Sequence, residues 1–253
     1  MSLELEKPRV MKELFSVNEQ DELTEKIFNA IVKYNKLNPT FSRFLYKNSV
    51  PIYNLLWILL KEDVYKLKSY NLTTLECFNK LSLEHSIYCC NQLRNEKINT
   101  CVDFGGGLGL STTIFQKYLT SNTEYFDFPH QIKFMKYLRK YLSAKVHHNI
   151  NTIDTFEELT NKYYDVVIAF DVFEHFVKPE DTYKMLRSIN TRFLCESSAF
   201  KYACCGHYPE YIIKDQIVDR KKAADIFTDI IKEDYELFAS RPNYKLRIWK
   251  KKK

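Results

Sequence analysis

The sequence predicts an α/β fold, a mostly parallel sheet preceded by a helical appendage, and three observations carry that prediction. Before Asn99 the chain shows only helical patterning. From Thr100 onward, short apolar or β-branched runs alternate with helical segments, as in a sheet built from successive strand and helix units. Four of the five glycines in the 253 residues, Gly105, Gly106, Gly107 and Gly109, fall in one five-residue stretch directly after the first such run. Average usage would give a chain this long roughly eighteen glycines. A sequence so poor in glycine that still gathers it here needs left-handed backbone, or close approach to a ligand, at that point.

The helical part reads as Val10 to Lys36, Pro51 to Lys68 and Leu72 to Glu96. Residues 1–95 are accordingly expected to form a lid or appendage, and residues 96–253 the sheet domain. The first strand is expected at Thr100 to Phe104, its helix at Leu110 to Leu119, the second strand at Thr123 to Phe128 and a helix at Gln131 to Ser143. A short third strand is placed at Lys145 to Ile150. The fourth, Tyr164 to Phe170, is a continuous apolar run of the kind buried on both faces of a parallel sheet. Pro179 opens a helix to Ile189 with Glu180 and Asp181 in its first turn. Thr191 to Glu196 is the fifth strand, a helix follows from about Ile213 to Lys232, and Tyr235 to Ala239 pairs with Tyr244 to Trp249 around Arg241-Pro242-Asn243.

Composition removes several functional classes. With 45% hydrophobic and 28% charged residues the chain is neither disordered nor fibrous. Its densest apolar stretch, Pro51 to Leu60, is ended by Lys61, Glu62 and Asp63, short of the roughly 20 residues a membrane span requires. The opening MSLELEKPRV mixes acids and bases without an apolar leader core, and a cytoplasmic location is expected. Seven cysteines without a C-x-x-C spacing read as reduced thiols. The net charge of +6 falls to +2 once Lys250 to Lys253 are set aside. That lysine run is read as a solvated, frayed end rather than a tether to a polyanion. Tyr and Phe, 18 of each, are spread evenly and make no stacking stripe for nucleic acid.

A strand, a glycine loop and a helix make a cradle for phosphate or nucleoside. A Walker loop is excluded because no Lys follows these glycines, and a dinucleotide fingerprint would place Leu110 where its third Gly or Ala must pack. The pattern D-x-G-x-G-x-G is met in full by Asp103, Gly105, Gly107 and Gly109. Asp127 stands 24 residues beyond Asp103 at the end of the second strand, and the fourth runs into Asp171-Val172-Phe173-Glu174-His175. On these landmarks the stretch from about 97 to 197 resembles the class I S-adenosylmethionine-dependent methyltransferases. The resemblance implies a Rossmann-like seven-stranded sheet, mostly parallel with an antiparallel last strand, and S-adenosylmethionine as cofactor. It also implies that Asp103 and the loop glycines hold the amino-acid portion of that cofactor. The physics agrees: the ligand carries an ammonium and a sulfonium and no pyrophosphate, so an acid at the strand end attracts it and would repel a diphosphate. Asp127 is placed to accept hydrogen bonds from the ribose hydroxyls. Either Asn151 or Asp154 is placed to meet the adenine amino group, and Asp171 is counted with the cofactor residues.

Methyl transfer from a sulfonium is an in-line displacement, so the protein mainly aligns the acceptor and excludes water. An acceptor hydroxyl also needs a base, and Asp171, His175 and, after the fifth strand, His207 are the catalytic candidates. His207 and Tyr208 are candidates for substrate contact or for the base, the other reading of that stretch being a surface turn built by Gly206 and Pro209. Asp171, Glu174, His175 and His207 also resemble the metal-binding E-x-x-E-H pattern of ubiquinone-biosynthesis O-methyltransferases and small-RNA 2′-O-methyltransferases. In this chain Asp171 replaces the first Glu and the gap to His207 is shorter. A divalent metal is therefore a second reading of the cluster. Without a basic patch before the terminal lysines, the expected acceptor is a small molecule, sugar or lipid ahead of RNA. A non-catalytic scaffold that only binds S-adenosylmethionine is the alternative from another class.

Overall fold

The computed structural model describes residues 4–142, 150–201, 207–242 and 245–253. The expected sheet is present, with strands β1 (Cys101–Phe104), β2 (Thr123–Phe126), β3 (Asn151–Thr152), β4 (Tyr163–Phe170), β5 (Asn190–Ser197), β8 (Tyr235–Arg241) and β9 (Leu246–Lys251). Their spatial order is β3-β2-β1-β4-β5-β9-β8. All neighbours from β3 to β5 pair in parallel, and β9 runs antiparallel between β5 and β8. Two further strands, β6 (Glu210–Ile213) and β7 (Gln216–Asp219), form a separate hairpin.

Alternation along β4 explains the layers. Val166, Ile168 and Phe170 enter one core with Leu83, Ile87 and Leu93 of the long N-terminal helix α5 (Tyr70–Leu93). Val167 and Ala169 enter the opposite core with residues of α9 (Pro179–Arg187) and α10 (Arg220–Asp234). The first face also holds α6 (Leu110–Tyr118) and α7 (Pro129–Leu142). With both faces covered, β4 is apolar from Val166 to Phe170, and its buried Asp165 is met by the Asn99 and Thr100 N–H groups.

Several expectations need correction. The helix expected from Val10 to Lys36 is interrupted: α1 (Lys7–Val10) continues through a π-helical turn, Met11–Phe15, to Ser16 at φ 53°, and α2 (Gln20–Asn35) starts afresh. An unexpected helix, α3 (Pro39–Lys47), is capped by the Asn38 side chain, which accepts the Phe41 N–H. It leads into α4 (Ser49–Leu60) and a 3₁₀ stretch, Lys61–Lys66. The third strand is only Asn151–Thr152; residues 145–149 of the expected one, with His147 and His148, lie outside the described residues. The helix expected from Ile213 starts at Arg220 instead. Lys214 and Asp215 both take positive φ, 50° and 58°, turning the chain into the hairpin, and Tyr211, Ile213 and Val218 bury one side of it. Asp219 then caps α10 by accepting the Lys222 N–H. Cys204, Cys205 and Gly206, and the turn residues Asn243 and Tyr244, lie outside the described residues.

The lysine run is not frayed. Lys250 pairs with Phe193 inside the sheet, Lys251 closes β9, and the Lys252 N–H donates to the Asp234 carbonyl.

Candidate active site

Where β1 ends, the chain enters the glycine loop. Gly105, Gly107 and Gly109 have left-handed backbone at φ 71°, 53° and 68°, so the three glycines the motif specifies are the three with that geometry. Asp103 is buried beneath them, and its Oδ2 accepts the Thr112 N–H (2.9 Å) and hydroxyl (2.6 Å), tying the loop to the start of α6. Burial raises its pKa to about 7, against the lowering effect of the two Thr112 bonds. Asp127 follows β2. Its Oδ2 accepts the Gly107 N–H at 2.7 Å, and its Oδ1 the Phe128 N–H at 2.6 Å. The Tyr125 hydroxyl stands 3.1 Å from Oδ2 and 2.8 Å from the Gly107 carbonyl, so its single proton is shared. Burial raises the Asp127 pKa in spite of these donors.

At the end of β4, Asp171 has φ 52°, a left-handed conformation that aspartate tolerates better than most residues. Its N–H donates to the Ser197 carbonyl on β5 and its Oδ1 faces the Ser197 hydroxyl at 3.4 Å. Close to Asp171 stands Glu174, which is fully buried. Burial lifts Asp171 to about 6, and burial with repulsion from Asp171 lifts Glu174 well above its ordinary value. One Glu174 oxygen accepts the Ala199 N–H at 2.7 Å. Beside them the rings of His175 and His207 meet edge to face with centroids 5.0 Å apart.

These elements border a cleft that is partly open to solvent. Five of the residues singled out in the sequence line it: Gly105, Gly107, Asp127, Asp171 and His175. Asp103, Gly109, Asn151, Asp154, Glu174 and His207 do not. Asn151, in β3, is exposed and pairs with Glu124 of β2, and Asp154, also exposed, lies past β3 with its N–H directed to Glu158. The sequence reading missed Tyr70 and Thr74 of α5, and Phe128, Gln131, Val172 and Phe176. For Phe128 a signal exists, a large apolar residue directly after a strand-end acid. Tyr70 and Thr74 reach the cleft through tertiary packing alone.

Among the lining residues there is no Lys or Arg, while Asp127 and Asp171 supply acid. That set suits a ligand carrying positive charge and suits a diphosphate poorly. The metal reading finds no support: among the described residues no three His, Cys, Asp or Glu side chains are grouped to hold an ion. Glu174 is turned inward to Ala199, and His175 and His207 present edge and face to one another.

No family model and no curated protein matches this sequence. Solved structures do. The 16S rRNA methylase ArmA superposes with a TM-score of 0.49 at 14% identity, over 78% of this chain and 98% of its own. An O-methyltransferase-like protein from Nostoc punctiforme gives 0.49 at 13%, over 72% and 59%. The N-methyltransferase NodS from Bradyrhizobium japonicum, solved with S-adenosyl-L-homocysteine, gives 0.48 at 11%, over 67% and 86%. The seven-stranded, mostly parallel sheet and the antiparallel last strand of this chain are those that the resemblance implies.

Proposed function

We propose that this chain, which has the class I S-adenosylmethionine-dependent methyltransferase fold, is an enzyme that methylates an oxygen or nitrogen of a small-molecule, sugar or lipid acceptor. One observation carries the reading: the cleft at the carboxyl ends of β1, β2 and β4 gathers Gly105, Gly107, Asp127, Asp171 and His175, and among the described residues no Lys or Arg lines it. S-adenosylmethionine, when bound, supplies the activated methyl group. Asp127 accepts a ribose hydroxyl, and the glycine loop gives the cofactor room at the backbone. Asp171 offers negative charge to the cationic end of the ligand. His175 takes the proton of the acceptor, and His207, packed against its ring, fixes its orientation.

Beside these polar groups the cleft is lined by the aromatic side chains of Tyr70 from α5, Phe128 and Phe176. In this reading the N-terminal helices shape the acceptor pocket. Apolar walls, and the absence of lysine and arginine among the described lining residues, favour an uncharged or cationic acceptor over a phosphate-bearing one. The protein is placed in the cytoplasm, a reading that the buried free thiols Cys89, Cys90, Cys101 and Cys195 support. Among the described residues no helix is long and apolar enough to cross a membrane.

Calorimetric titration of the purified chain with S-adenosylmethionine tests the proposal, followed by acceptor screening for S-adenosylhomocysteine release. Micromolar binding with turnover is expected. Binding without turnover on any acceptor class, RNA included, would leave a scaffold, and absence of binding would overturn the cofactor assignment.

A further inference from the structure

The acceptor capacity of Asp127 is nearly spent before any ligand arrives. An ionised carboxylate offers about four lone-pair sites. Two are taken by the Gly107 and Phe128 N–H groups, and a third is approached by the Tyr125 hydroxyl. A ribose presents two vicinal hydroxyls, so a second acceptor is needed beside Asp127. Four residues along the chain, within the first turn of α7, Gln131 lines the same cleft. It is 5% exposed, and its side-chain carbonyl oxygen is buried with no hydrogen-bond donor. Leaving such an oxygen unmet is costly, and a group in that condition in a binding cleft points to a donor that comes with the ligand. Its orientation is fixed from the other end of the amide, because Gln131 Nε2 donates to Asn71 Oδ1 at 3.0 Å. Asn71 belongs to the first turn of α5, beside the cleft residues Tyr70 and Thr74. Between the two acceptors Phe128 is half exposed, its ring stacked on His130 at 5.9 Å, a flat apolar surface suited to a base.

We propose that Gln131 is the second ribose acceptor of the nucleoside site, and that Asn71 is its positioning residue, through which the N-terminal helices take part in cofactor recognition. The inference rests on the nucleoside reading of the cleft and adds to it a residue and a coupling.

The test is calorimetric titration of the full chain with S-adenosylhomocysteine and with its 2′-deoxy and 3′-deoxy analogues. For Gln131→Leu, affinity for S-adenosylhomocysteine is expected to fall about tenfold, while affinity for one of the two deoxy analogues changes less than about twofold. Asn71→Leu, which leaves Gln131 in place, should lower the same hydroxyl preference about threefold, and it serves as the test should Gln131→Leu show no cooperative thermal unfolding. A variant that keeps the wild-type preference for the hydroxyl over both analogues overturns the assignment. If the wild-type chain binds none of the three ligands, the nucleoside reading fails and this inference with it.

Discussion

Burial leaves Asp103 and Asp171 protonated into the neutral range, with pKa values of about 7 and about 6. A cationic ligand favours their ionised forms, so binding should release protons between about pH 5.5 and 7, and affinity should rise with pH over that window. Binding enthalpies measured in buffers of different ionisation enthalpy check this: equal values at pH 6.5 would refute it. The same shift has a consequence for stability, with its sign set by which state holds the proton. The unfolded Asp103 carboxyl ionises near pH 4 whereas the folded one holds its proton to about 7, so its contribution is full at low pH and is lost as pH rises through 7. Asp103→Asn, which cannot ionise, should therefore gain on the wild type as pH goes from 4 to 8 in urea unfolding. Asp127→Ala should weaken S-adenosylmethionine binding at least tenfold without loss of the fold, since it removes the carboxylate that binds Gly107 and faces the cleft. Asp103 and Asp127 were legible in the sequence because the glycine pattern and the spacing point to them. Gln131 was not, because a glutamine in the first turn of an amphipathic helix has no local mark that its amide is held by a residue sixty positions earlier.

At the scale of elements, the glycine loop separates strain from occupancy. A methyl added at Gly109 would lie 2.5 Å from Met135 Cγ as well as in a left-handed conformation, whereas one at Gly107 meets nothing within 4 Å. Gly109→Ala should destabilise the fold by about 2–3 kcal/mol and Gly107→Ala by about 1 kcal/mol. Gly107→Ala should nonetheless impair cofactor binding more than its stability loss suggests, because its methyl projects into the space the ligand needs. Chemical denaturation paired with titration of both variants distinguishes the two effects. The hairpin of β6 and β7 carries another prediction. Both of its turn residues have positive φ, so Lys214→Asn with Asp215→Gly should raise stability by about 1 kcal/mol in the same denaturation assay. That turn also explains why the hairpin went unread: Lys-Asp lacks the glycine that announces such a turn, and the charged stretch after it is helical in composition. The apolar run Val166 to Phe170 of β4 was legible because two covered faces impose an apolar sequence. The break at Ser16 was hidden because serine gives no local warning of left-handed backbone.

For the whole molecule, the sheet and the N-terminal helices share a core. Val166, Ile168, Phe193 and Ile248 lie in one cluster with Leu83, Ile87, Cys90 and Leu93. A fragment of residues 96–253 would expose that face, and we expect it to show no cooperative unfolding transition, in contrast to the full chain in calorimetry. The appendage is then structural as well as a wall of the cleft, a relation that the helical patterning before Asn99 could not convey. The position of β9 adds a temporal consequence. Lying between β5 and β8, it is the only route by which β8 joins the sheet, although β8 is synthesised first. While residues 246–251 are still inside the ribosome, β8 has no partner and the open edge of β5 is available to foreign strands. Until β9 is in place, the five parallel strands are therefore assembled without β8.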